Sequence, residues 1–146
     1  MESSERAEKF ATLDFNHWPL AIVRFNELQS NEDFDFFLKR WENLSKANQD
    51  YSIILDTRKI SNIGLQNAFS GMSFIKRLRN QNPQRLKNTI LIYNNNYMYY
   101  LFNFVLTFQS PVSKTYSYFT EDLSDLNYLE LFNQRNSDPE KFKVFE

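Results

Sequence analysis

The sequence predicts an α/β domain built on a mainly parallel sheet of four to five strands, with helices on both faces. Three observations carry that reading. Short continuous apolar runs rich in β-branched residues occur at residues 20–23, 51–56 and 89–93, as strands covered on both faces require. Between them lie longer stretches in which apolar residues recur every three or four positions, the mark of an amphipathic helix. The chain has 146 residues, close to the ~100–150 typical of one domain. Single helices between buried strands act as crossovers, and crossovers make the sheet parallel.

The elements follow in order. Residues 1–17 read as an N-terminal extension, with a strand or helix around residues 10–15 left open. Residues 18–135 read as the domain, and 136–146 as a polar tail whose Phe142 and Phe145 are free to dock. The first core strand, near residues 20–26, follows Pro19, which suits a strand start. A helix over residues 30–47 places Phe34, Phe37, Leu38, Trp41 and Leu44 on one stripe and Asp35, Lys39, Arg40 and Glu42 on the opposite face. Phe37 and Trp41 should therefore point at the sheet. Ser30, with Asp33 three residues on, resembles a capping box at its start. After the inner strand at 51–56 comes a second stripe of Leu65, Ala68, Phe69, Met72, Ile75 and Leu78. Lys76, Arg77 and Arg79 cluster where positive charge complements a helix C-terminus. Residues 89–93 form the next inner strand, and 115–119 alternate as an edge strand does. Thr120 or Asp122 is placed to cap a last helix carrying Leu123, Leu126, Leu129 and Phe132.

One segment dominates the chain. Residues 93–113 contain no charged side chain, and residues 97–108 present aromatic or aliphatic groups on every face of a helix. Such a helix is buried in a large fold, laid on lipid, or held against a cavity or partner. It is too short to span a bilayer, which needs ~20 apolar residues. A sheet covers only part of a helix circumference, so a protein partner, a second copy or a lipid is expected over the remainder. Tyr100, Phe104 and Phe108 recur at i+4 and form one face, expected outward, while Met98, Phe102 and Leu106 belong to the other. Tyr97, Tyr100, Leu101, Phe104 and Phe108 are the candidate partner or ligand residues.

Composition excludes several functions. Seventeen basic and eighteen acidic residues are interspersed, leaving a net charge of −1 and no basic field for nucleic acid. Cysteine is absent, which removes disulfides, thiolate zinc sites and thiol nucleophiles and agrees with a cytoplasmic setting. The start, MESSERAEKF, lacks the apolar core of a secretory signal. His17 is the single histidine, so no two-histidine metal site exists, and its place before Trp18-Pro19 reads as a turn. With Gly64 and Gly71 the only glycines, no phosphate-cradling loop or dinucleotide fingerprint occurs, and no cofactor or metal is expected. Asp56 ends an inner strand, where open α/β sheets bind ligands, although such a carboxylate more often caps its own turn. Arg58 and Lys59 beside it suit an anionic headgroup. Asn94, Asn95 and Asn96, at the end of the next strand, suit a hydrogen bond to the same ligand, or the turn and N-cap that start the aromatic helix.

The stretch IKRLRNQNPQRLKNTILIYNNNYMYYLFNFVLTFQSPVSKTYSYF resembles the second half of CRAL-TRIO lipid-binding domains. Asp56, Pro83, Arg85, Leu86, Asn94, Pro111 and Lys114 stand at the positions that carry the likeness. The same order of strands and helices is similar to the STAS domain, in which an Asp-Ser-Ser-Gly-like phosphoacceptor precedes the second helix. Here Ser61-Asn62-Ile63-Gly64 occupies that place and departs from the motif. The CRAL-TRIO resemblance implies that the aromatic helix gates an apolar cavity and admits a lipid. The reading reached is a non-enzymatic binding or scaffold module that docks a protein partner, or itself, through residues 97–108. The alternative is a carrier of lipid or another hydrophobic small molecule with that helix as lid.

Overall fold

The computed structural model describes residues 8–61 and 63–146, so the first seven residues of the expected extension and Asn62 of the STAS-like motif lie outside the described residues. Six strands form one sheet in sequential order: β1 (Ala11–His17), β2 (Leu20–Phe25), β3 (Tyr51–Asp56), β4 (Leu86–Tyr93), β5 (Lys114–Phe119) and β6 (Phe142–Phe145). The four inner strands β2 to β5 run parallel, and β1 and β6 close the two edges antiparallel. The helices between and after the strands are α1 (Asn31–Leu44), α2 (Leu65–Arg79), α3 (Asn96–Phe108) and α4 (Tyr128–Gln134).

The strand order decides where the helices go. Each crossover from β2 to β5 steps in the same direction, and right-handed crossovers that do not reverse place α1, α2 and α3 on one face. Their core joins Phe25, Ile53, Leu55 and Leu91 of the strands to Phe37, Trp41, Phe74 and Met98 of the helices. On the opposite face Ile22, Ile54, Ile90, Ile92 and Tyr116 pack under Tyr128 and Leu131 of α4. Helices thus lie on both faces, but three to one. The alternation of Ile53 and Leu55 toward one core with Ile54 toward the other explains why residues 51–56 read as an unbroken apolar run.

Three expectations need correction. The sheet has six strands, because residues 11–17 and 142–145, read as extension and tail, pair with β2 and β5. Residues 115–119 are therefore an inner strand. Phe142 explains the tail: it packs against the rings of Tyr116 and Tyr118 at 6.2 and 5.2 Å, so four residues suffice to add an edge. The last helix starts at Tyr128, capped by the Asn127 side chain, which accepts from the Glu130 N–H at 3.1 Å. Helix cannot extend back to residue 120 because the Arg58 guanidinium takes the carbonyls of Asp122 and Ser124, at 2.7 and 2.8 Å. In a helix those oxygens accept the N–H groups four residues on. Finally, α2 is rotated from its expected stripe: Phe74, Ala68 and Leu78 are buried, while Leu65 and Phe69 face out.

Candidate functional site

At the carboxyl ends of the parallel strands the backbone register brings Arg24, Asp56 and Ile92 side by side. Asp56 accepts from Arg58 Nε at 2.9 Å and Nη2 at 2.7 Å, a bidentate pair in which each side chain is only 7% exposed. The Tyr128 hydroxyl donates to the same carboxylate at 2.7 Å. Arg24 completes the stack, its guanidinium 5.2 Å from the centre of the Tyr128 ring. Burial alone would raise the Asp56 carboxyl, but the hydrogen bonds from Arg58 and Tyr128 outweigh it and hold the group below its usual range. Burial, reinforced by the Asp56 bond, pushes the Tyr128 hydroxyl up.

The Asp56 carboxylate and the Arg58 guanidinium are thereby engaged inside the protein. Asp56 and Arg58, read as ligand residues, instead tie the 120–127 loop and α4 to the sheet. Asn94 is half-buried and its carboxamide oxygen accepts from the Asn95 side chain at 3.0 Å; of the three asparagines expected at this turn, Asn95 caps α3 by accepting from the Met98 N–H at 2.9 Å. Tyr128 was not legible as a member, since it sits 72 positions from Asp56 and nothing local distinguishes it from the leucines around it.

The cluster sets an acid limit. A carboxyl whose folded pKa lies below its unfolded value, ~3.9, stabilises the fold above that value and loses the contribution as pH falls through the folded pKa. Hydrogen exchange in residues 120–134 should therefore accelerate in strongly acidic buffer before the helix-side core opens. Uniform loss of protection over both cores would count against this latch.

The second region lies on α2 and α3. Met98 and Leu101 are buried against the sheet, so Leu101, read as a partner residue, belongs to the inner face. Outward stand Phe108 at 71% exposure, Tyr100 at 67%, Leu65 at 60%, Phe69 at 55% and Tyr97 at 49%. Phe104 lies half-buried among them, its ring 6.2 Å from Phe69 and 5.1 Å from Phe108. The Tyr97 hydroxyl donates to the Ile63 carbonyl, which fixes its ring beside the start of α2. Of the expected outer face, Tyr100 and Phe108 are fully outward and Phe104 is partly covered. Leu65 and Phe69 were missed, because their spacing matches that of core positions.

The remaining flank of α3 is covered by the chain itself. The Lys143 ammonium donates to the Tyr99 hydroxyl at 2.6 Å and lies 4.9 Å from the ring centre. Beneath α1 to α3 is an apolar cavity of about 160 Å³. That is below the ~300 Å³ at the lower end of ligand pockets for drug-sized molecules. Among the described residues no helix is long and apolar enough to cross a membrane.

Neither a protein-family model nor a curated protein matches the chain. A solved structure does: a DUF3478-family protein from Shewanella loihica PV-4 with a SpoIIAA-like fold, 11% identical, TM-score 0.51, covering 77% of this chain and 86% of that one. At that identity the likeness concerns the fold. Of the two architectures suggested by the sequence, the STAS-like one is supported and the CRAL-TRIO one is not, and the chain is an α/β domain of SpoIIAA-like fold.

Proposed function

We propose that this chain is a non-enzymatic binding module that docks protein through the ridge formed by α2 and α3, with a second copy of the chain as occupant. The observation that carries this is the contiguous apolar ridge of Leu65, Phe69, Tyr97, Tyr100 and Phe108. At ~150–250 Å² for a large side chain, the exposed fractions of these five amount to about 600 Å². That is at the upper end of the ~300–600 Å² that the largest apolar patch of a typical monomer exposes, and such patches are often functional. A standard interface buries ~800 Å² per partner, so the ridge and its polar margin are enough for one copy to cover another.

The ridge also suits self-association by its chemistry. Its helix α3 carries no charge, so the α3 helices of two copies meet without like-charge opposition. An antiparallel crossing of two α3 helices about Tyr100 and Phe104 sets Tyr97 of each against Phe108 of the other, as a two-fold interface requires. Asp56 and Arg58 take no part, being satisfied internally.

Sedimentation equilibrium from micromolar to submillimolar chain should show a monomer–dimer equilibrium. Tyr100→Glu combined with Phe108→Glu should weaken it at least about a hundredfold, since each buried charge removes an aromatic anchor. Both positions are exposed, so unfolding stability should stay within about 0.5 kcal/mol. A wild-type chain that remains monomeric throughout the range overturns the proposal. So does a double variant that dimerises as tightly as the wild type.

A further inference from the structure

Protein interiors are packed so closely that voids larger than a water molecule are few. The cavity of about 160 Å³ under the crossover helices is such a void, walled by Trp41, Leu55, Phe74, Leu91, Leu101 and Val105 among others. Thr89 aside, the polar side chains that line it are already bonded elsewhere. Thr57 Oγ1 donates to the Ile92 carbonyl at 2.6 Å, Thr115 Oγ1 to the Ser113 carbonyl at 3.0 Å, and the Asn67 amide to Asn31 Oδ1 at 3.1 Å. Those bonds leave the cavity little with which to hold a water, and dry apolar cavities of ~150 Å³ accept benzene-sized molecules.

A second observation points to the same space. Gly71 lines the cavity in the interior of α2, where glycine is the weakest helix former apart from proline. No backbone geometry asks for it, since its φ lies outside the left-handed region. Nor does packing: a Cβ added there meets only the tip of the Phe34 ring, at 3.9 Å, an ordinary contact. A side chain would fit and the chain leaves it out. Outside, an open groove between α1 and α2, flanked by Asp35, Lys39, Gln66 and Arg77, meets the cavity at Leu38, which lines both.

We propose that this cavity is a binding site for a small uncharged ring compound, from benzene to indole in size, entering between α1 and α2 past Leu38. Dispersion contacts and apolar burial hold the ligand. An ammonium or carboxylate is rejected, because it would be desolvated with no partner. The cavity itself lies apart from the outer ridge, whose Phe69 borders only the entry groove.

Benzene and indole are the probes, each titrated into the full chain while thermal unfolding and the amide NMR spectrum are followed. At ten times Kd the folded state gains about an eleven-fold advantage, which raises Tm by roughly 4–6 °C, and shifts should centre on α1, α2 and β4. Gly71→Leu should raise Tm without ligand and weaken binding at least tenfold. Ala68→Leu, on the same wall, serves where Gly71→Leu does not fold. Tyr100→Glu with Phe108→Glu should keep the full response, separating the cavity from adsorption on the ridge. A wild-type spectrum and Tm unmoved by both probes overturns the proposal, as does undiminished binding in a folded cavity-filling variant, or loss of the response in the ridge variant.

Discussion

Replacing Arg58 by methionine should cost the fold about 3–5 kcal/mol, because it leaves the Asp56 carboxylate in the interior without its cationic partner, held only by the Tyr128 hydroxyl and the backbone N–H of residue 58. The same change removes the donors to the Asp122 and Ser124 carbonyls, so the loop that leads into α4 loses its anchor. Urea unfolding followed by circular dichroism measures the loss, and limited proteolysis should cut first within residues 120–127. Adding Asp56→Leu to Arg58→Met should recover much of the stability, since an apolar pair in place of a buried ion pair is often neutral. Proteolysis should stay fast in that double variant, because the loop carbonyls remain without Arg58. A loss below about 1 kcal/mol for Arg58→Met would show that the pair contributes little.

Trp41→Ala should cost about 3–5 kcal/mol, a large share of the 5–15 kcal/mol that holds a domain together. The indole is buried between Phe37 and Phe74, with ring centres at 6.0 and 4.9 Å. Its Nε1–H donates to the Tyr51 hydroxyl at 2.9 Å, and that hydroxyl also shares a short hydrogen bond with Ser45. Trp41→Phe keeps most of the volume and loses the donor, so it should cost clearly less than alanine. Equal losses for the two substitutions would place the energy in the hydrogen bond and not in the packing.

These two sites were legible to different degrees. Trp41 and Phe37 were placed in the core from helical spacing alone, because a charged opposite face leaves the stripe one direction to go, and both are buried. The parallel pairing within β2 to β5 followed from the single helices between strands, which act as crossovers. The ridge was half-legible: a helix without charge announced an outer face, but periodicity does not say how far a helix is rotated about its axis. Leu101 therefore fell on the wrong side, and Phe69 on α2 looked like core. Asp56 and Arg58 were seen as neighbours two positions apart, with no sign that Tyr128 would complete their bonding.

By itself the sequence determined what depends on local pattern and composition: the α/β class, the strands at 51–56 and 89–93, the inward faces of Phe37 and Trp41, and the uncharged helix 97–108. Only the tertiary structure decided the pairing of residues 11–17 and 142–145 at the sheet edges, the late start of α4, and the closure of Asp56, Arg58 and Tyr128 into one buried cluster. The reason is range. Periodicity and capping act over a few residues, whereas edge pairing, helix rotation and buried ion pairs are settled by contacts between segments many positions apart, whose free energies exist only once the sheet has brought them together.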